Sequence, residues 1–247
     1  MKKIWPIVAL GVVAYLAFAL ITLPASIITK RLVPMGVVMS GIQGTVWNGT
    51  AQVVQVAGAN LGTASWDMRV LSLLSGTATA DVDLSRADSF LRGRVSVGTK
   101  RIRLQNTSLS TPIGALPPQW APGGWNGSIN AKFDELTLVD NWPISATGVI
   151  EIFDLNGPAR RPVNVGSYKV TFPAPVTPPG TLRGALNDIA GPVQITGFVE
   201  FKPDHSYLIE GLIATKPDAP PELTRALEFL GPPDAQGRRQ LSVSGTI

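Results

Sequence analysis

The chain has no cysteine and a single histidine, His205, in 247 residues. The absence of cysteine excludes a disulfide framework, a thiol nucleophile, thiolate zinc sites and a lipid-modified cysteine. One histidine leaves no material for a histidine-rich metal site. Charge is scarce as well: 15% of residues are charged, against roughly a quarter in an average soluble domain. A formal net charge of +4 is thin for nucleic acid, whose binding needs a basic stripe. The cations are scattered (Arg92, Arg94, Lys100, Arg101, Arg103, Arg160, Arg161) and no aromatic residues interleave them. These absences point away from an enzyme, a cofactor protein and a nucleic-acid binder. What is plentiful is glycine, 25 residues, and proline, 21. At this length one large all-β domain and two smaller ones are equally open.

From Ile4 to Leu23 the sequence holds twenty residues without a charge. A helix of that length spans roughly 30 Å, the thickness of a bilayer's hydrocarbon core. Trp5 lies at interfacial depth, Lys2 and Lys3 precede the run, and Lys30 with Arg31 follows it. Two readings stand, an uncleaved transmembrane anchor and a cleaved signal peptide ending at Ala17-Phe18-Ala19. The anchor is favoured because Leu20-Ile21-Thr22-Leu23 carries the apolar run past the cut. Both readings send the rest of the chain across a membrane.

After Pro34 the apolar period changes to two. Thr77–Leu84, Arg94–Val97, Arg101–Leu104, Ile129–Phe133, Val149–Ile152 and Tyr168–Phe172 alternate as half-buried strands do. So do Val193–Thr196, Phe198–Lys202, Tyr207–Glu210 and Leu241–Ser244. Turn residues at short spacing predict an antiparallel sandwich or an extended sheet rather than βαβ units. One helix is expected at Pro221–Leu230, and a shorter turn at Arg69–Leu74 ended by Gly76. The expected organisation is a short N-terminus at 1–3, a transmembrane helix at 4–23, a linker at 24–40 and a β-rich domain at 41–247. Possible halves of that domain are 41–118 and 119–247. A faint echo links Trp47-Asn48-Gly49 with Trp125-Asn126-Gly127. Asn-Gly suits a tight hairpin turn over which the preceding Trp packs. Two related β-modules and convergent turn chemistry both explain the echo.

Candidate chemistry is sparse. His205, in Lys202-Pro203-Asp204-His205-Ser206, reads as a turn between two strands, without a nucleophile elbow to serve. Asp81 and Asp83 alternate with apolar neighbours and are expected on a solvated strand face; Asp134 and Glu135 form the other carboxylate pair. No phosphate loop, dinucleotide fingerprint or complete calcium loop occurs.

The residues carry a family resemblance. The apolar run closes in Leu23-Pro24-Ala25 and is followed by Gly41-Ile42-Gln43-Gly44-Thr45-Val46-Trp47-Asn48-Gly49. Later come Gly191-Pro192-Val193, Gly197-Phe198-Val199 and Tyr207-Leu208-Ile209-Glu210-Gly211. Leu230-Gly231-Pro232-Pro233-Asp234-Ala235-Gln236-Gly237-Arg238 and Leu241-Ser242-Val243-Ser244-Gly245 close the series. In this order they resemble the type II secretion system protein N family. The resemblance implies an accessory component of the Gram-negative machine that exports folded proteins across the outer membrane. It also implies an inner-membrane anchor with the bulk of the chain in the periplasm, and no catalytic motif.

The expected function is therefore contact with other type II secretion components. Trp47, Trp125, Pro117, Pro118 and the Pro173–Gly180 loop are the candidate contact positions. The alternative is a lipid-handling protein, similar to AsmA-like envelope proteins, whose strands curl into a groove for acyl chains. An envelope hydrolase and an outer-membrane barrel fit the sequence poorly.

Overall fold

The structure is a computed structural model that describes residues 5–27, 36–116, 124–158, 162–173 and 181–246. The apolar N-terminal run forms helix α1, Trp5–Ile21. Its last bonds run from the Thr22 N–H to the Phe18 carbonyl and from the Leu23 N–H to the Leu20 carbonyl, and Pro24, without an N–H, donates none. Seventeen residues make a helix of about 26 Å, short of the span expected over 4–23. No helix among the described residues is long and apolar enough to cross a membrane. Within the span expected over 4–23, the described helix is the apolar one at Trp5–Ile21.

All strands belong to one antiparallel sheet. They are β1 (Val37–Ser40), β2 (Gln43–Gly44), β3 (Asn48–Val56), β4 (Ala59–Met68), β5 (Ala78–Arg86), β6 (Ser89–Val97) and β7 (Arg101–Pro112), followed by β8 (Asn126–Val139), β9 (Trp142–Asn156), β10 (Asn164–Phe172), β11 (Leu182–Ala190), β12 (Val193–Phe201), β13 (Ser206–Thr215) and β14 (Arg239–Thr246). From β3 onward each strand pairs with the next in sequence, while β1 and β2 both pair with β3. The extended sheet of the two sequence expectations is the one observed. Helix α2, Pro221–Glu228, forms where expected between β13 and β14. The turn after Arg69 is a 3₁₀ helix, Val70–Ser75, closed by Gly76 at φ 75°.

Strand pairing places one residue from each of β3 to β14 in a single row. Directly opposed partners run Ala51, Ala64, Leu84, Leu91, Leu109, Ala131, Ile150, Val170, Leu186, Gly197, Gly211 and Leu241. Because side chains alternate across a strand, the whole row lies on one face. Among the described residues no second layer covers that face: its buried residues form two separate clusters, around Ala51, Val54 and Ala64 and around Ala146, Phe172 and Leu182. The chain exposes 15450 Å², against roughly 10,500 Å² for a compact monomer of this mass. The sheet is a curled single layer with a thin core.

Curling is strongest in the second half. Trp142 opens β9, and its indole Nε1 donates to the Lys202 carbonyl at 2.7 Å. Lys202 follows β12, three strands away, a distance of roughly 14 Å in a flat sheet. The bond exists because the sheet rolls here. Trp142 then stacks on His205 at 5.2 Å and meets Phe201 edge-on at 5.6 Å.

The two Asn-Gly pairs are not the hairpin turns expected of them. The first turn lies one step earlier, where the Thr45 N–H donates to the Asn48 carbonyl at 2.8 Å. Asn48 and Asn126 instead begin β3 and β8. Odd- and even-numbered strands start at opposite ends of this meander, so the two Trp-Asn-Gly triplets do not occupy equivalent positions.

Candidate interaction surfaces

The outward face is a ladder of ion pairs. Register sets Asp81 opposite Arg94 and Asp83 opposite Arg92. Arg94 Nε lies 2.8 Å from Asp81, Arg92 Nε 2.6 Å from Asp83, and Arg69 reaches Asp81 from the other side at 3.3 Å. Slight burial raises the Asp81 pKa, but the hydrogen bonds from Arg94 and Arg69 outweigh it and hold the carboxyl below its ordinary range. Glu135 pairs with Arg103, and Glu151 with Lys169. All these side chains are substantially exposed, so each pair stabilises by less than about 1 kcal/mol. Asp81 and Asp83 therefore lie on the solvated strand face expected for them. They bound an open polar groove of about 440 Å³ with Asn48, Asp67 and Asn106.

The inward face is apolar. At its first end Val37, Met39, Ile42, Val54, Val56, Leu61, Trp66, Val82 and Leu84 line a cavity of about 300 Å³. Trp66 lies across Gly49, whose missing Cβ leaves room for the ring, and its Nε1 donates to the Val46 carbonyl at 3.1 Å.

Of the expected contact residues, Trp47 and Trp125 lie at opposite ends of the sheet. Trp47, half-buried, donates from Nε1 to the Leu20 carbonyl at 2.7 Å. The same carbonyl, in the last turn of α1, also accepts from the Leu23 N–H at 3.3 Å. The carbonyl of Trp47 itself accepts from the Met68 N–H at 2.6 Å. Trp47 is a clasp between α1 and the sheet. Trp125 is half-buried at the opposite end of the sheet, beside Gly157. Pro117, Pro118 and nearly all of the Pro173–Gly180 loop lie outside the described residues.

His205 sits in the β12–β13 turn, as its sequence context indicates, in the left-handed region at φ 64°. It is a stacking partner of Trp142. That pairing had no sequence signal, since the two residues are 63 positions apart and neither lies in a motif.

Tyr168, on β10, faces inward opposite Asp188 and donates its hydroxyl to the Val165 carbonyl at 2.8 Å. Burial, assisted by the Asp188 charge, pushes its phenol up from 10.0 to about 12. The folded state therefore holds this proton through a window in which the unfolded state has lost it. Stability falls as pH rises from 10.0 to about 12. An ultraviolet titration of the protein beside its Tyr168→Phe variant should show that the variant lacks a phenol ionising at about 12. A difference between the two curves centred at the ordinary value of 10.0 would refute this.

Among the described residues, β14 at the outer edge of the sheet pairs with β13 and with no other strand. Beyond Arg239 the strand reads Gln240-Leu241-Ser242-Val243-Ser244-Gly245-Thr246, with neither charge nor proline to blunt it. Phe229, just past α2, is 92% exposed.

The model of the family described as type II secretion system (T2SS), protein N matches residues 35–242. The chain is 29% identical to the type II secretion system protein N of Aeromonas hydrophila, over the full length of both. It is 26% identical to the Vibrio cholerae serotype O1 protein of that name, over 91% of each chain. With the Pectobacterium carotovorum subsp. carotovorum protein it shares 22% identity over 96% of this chain and 94% of the other. No solved structure matches significantly. A family match over most of the length, with the motifs at both ends in their expected order, means that the chain belongs to the type II secretion system protein N family.

Proposed function

We propose that this protein is an inner-membrane-anchored accessory component of the type II secretion system, acting by protein contact from the periplasmic side and without catalysis. The observation that carries the contact reading is the open edge at β14, a ready template for a partner strand. Anchoring is supported by α1. Its described large apolar side chains, among them Val8, Leu10, Val13, Phe18 and Ile21, are all exposed. A helix apolar all round needs a nonaqueous surrounding. With Ile4 before it and Thr22-Leu23 after, the apolar run reaches the length of a bilayer core.

Replacing residues 1–23 by a cleavable export signal should abolish secretion while the β-domain accumulates in the periplasm. Normal secretion by that soluble form would sink the tethering reading. Edge docking has its own test, helped by the absence of native cysteine. A photocrosslinker on Ser242→Cys or Ser244→Cys in secreting cells should trap another secretion component. Adducts no more abundant than those from Ala87→Cys, at a turn of the sheet remote from β14, would overturn it.

A second reading is favoured by the uncovered apolar row and the 300 Å³ cavity, which suit an acyl chain. Native mass spectrometry of the purified protein should then find bound phospholipid, lost when Ala64→Trp fills the cavity. A lipid-free protein would remove this reading and leave the first intact.

A further inference from the structure

The 3₁₀ helix between β4 and β5 presents its apolar side chains outward. Leu71 is 81% and Leu74 88% exposed, with Val70 and Leu73 about half exposed. No residue of the helix is buried. The segment is nevertheless well held. The Ser72 hydroxyl donates to the Arg69 carbonyl at 2.6 Å and accepts from the Thr79 N–H at 3.1 Å. Ser75 Oγ donates to the Ser72 carbonyl at 2.7 Å, and the Gly76 N–H closes the turn on Leu73. An ordered backbone that projects leucines into solvent has the form of an interaction site rather than of a failed core.

Its place in the fold says what covers it. Met68, two residues before the helix begins, donates to the Trp47 carbonyl, and the Trp47 indole donates to Leu20. Leu20 lies inside the apolar run of α1, so this end of the sheet stands level with the last turn of that run. Trp47 then sits where an amphipathic ring is favoured, at the lipid–water boundary. Lys100, exposed in the β6–β7 turn, and Arg101, exposed at the start of β7, occupy the same end of the sheet. Leucines flanked by cations and an interfacial tryptophan match a bilayer surface with anionic headgroups better than they match another protein.

We propose that Leu71 and Leu74 insert into the same bilayer leaflet that α1 leaves, giving the β-domain a second membrane contact that fixes its tilt. The proposal rests on the anchoring reading above and is tested together with it. The full-length chain carries an environment-sensitive fluorophore at one introduced cysteine and is reconstituted in vesicles of phosphatidylethanolamine and phosphatidylglycerol containing spin-labelled lipid. The positions are Val13→Cys in α1, Leu74→Cys, and Ala87→Cys in the β5–β6 turn at the opposite end of the sheet. The expected result is quenching at positions 13 and 74 and none at 87. Quenching at 13 without quenching at 74 would overturn this inference and leave anchoring standing. No quenching at 13 would overturn anchoring, and equal quenching at 87 would show nonspecific adsorption and overturn the inference. A companion Leu71→Ser, Leu74→Ser variant, both side chains being too exposed to threaten folding, should lose the Trp47-dependent blue shift on vesicle addition.

Discussion

Trp142→Ala is expected to destabilise the sheet by about 3–5 kcal/mol, the range for deleting a buried tryptophan. Trp142 is only 6% exposed, and three separate interactions converge on it. Its ring packs edge-on against Phe201 and face-on against His205, and its N–H satisfies the Lys202 carbonyl. These contacts join β9 to the β12–β13 turn, so the substitution removes a side chain and also the tie that keeps the sheet rolled. Trp142→Phe retains part of the packing but loses the indole hydrogen bond to the Lys202 carbonyl, which keeps its bond from the His205 N–H, at a cost of about 0.5–1.5 kcal/mol. Chemical denaturation of the detergent-solubilised chain, followed by tryptophan fluorescence, would measure both. A loss below about 1 kcal/mol for Trp142→Ala would mean that the sheet closes by other means.

Gly197→Val should be nearly as damaging, for a steric reason. Gly197 on β12 lies directly opposite Gly211 on β13. A Cβ at Gly197 would stand 2.6 Å from the Gly211 Cα and would collide with the Glu210 carbonyl. Real Cβ atoms do not approach backbone that closely, and backbone cannot rotate aside as a side chain can. The row of inward side chains is therefore interrupted at both glycines, and there the two strands come close enough for the sheet to turn. The expected loss is at or above the upper end of the 1–3 kcal/mol range for overpacking, with protease sensitivity appearing first around β12 and β13. Gly98→Ala is the comparison: its Cβ would meet nothing closer than 3.5 Å, and the change should be nearly neutral. Similar unfolding midpoints for the two variants would contradict the close-approach argument.

Much of the fold was legible because alternation with period two is a local property. Tyr168-Lys169-Val170-Thr171-Phe172 has to place Tyr168, Val170 and Phe172 on one face and Lys169 and Thr171 on the other, and it does. Asp81 and Asp83 were legible for the same reason. β11 was not: Leu182-Arg183-Gly184-Ala185-Leu186-Asn187-Asp188 is rich in residues poorly suited to strands. Pairing on both sides with β10 and β12 makes it one regardless. The Asn-Gly turns were misplaced because turn propensity does not say which of several nearby residues closes the hairpin. Trp47 was legible as an important aromatic, yet its bond to Leu20 joins residues 27 apart, and local pattern carries no such information.

Alternation with period two determined from the sequence that this chain is mainly β, with one apolar segment at its start. Its ordered motifs already pointed to the family. The tertiary structure alone decided that the sheet is one curled layer, that Trp47 holds α1 to it, and that Leu71 and Leu74 stand at the same end. Alternation dictates which face a side chain takes, and a face is set by its nearest neighbours in the chain. Closure depends on which distant turns meet, and that is settled only when a 2.7 Å bond forms between Trp142 and Lys202 across three intervening strand spacings.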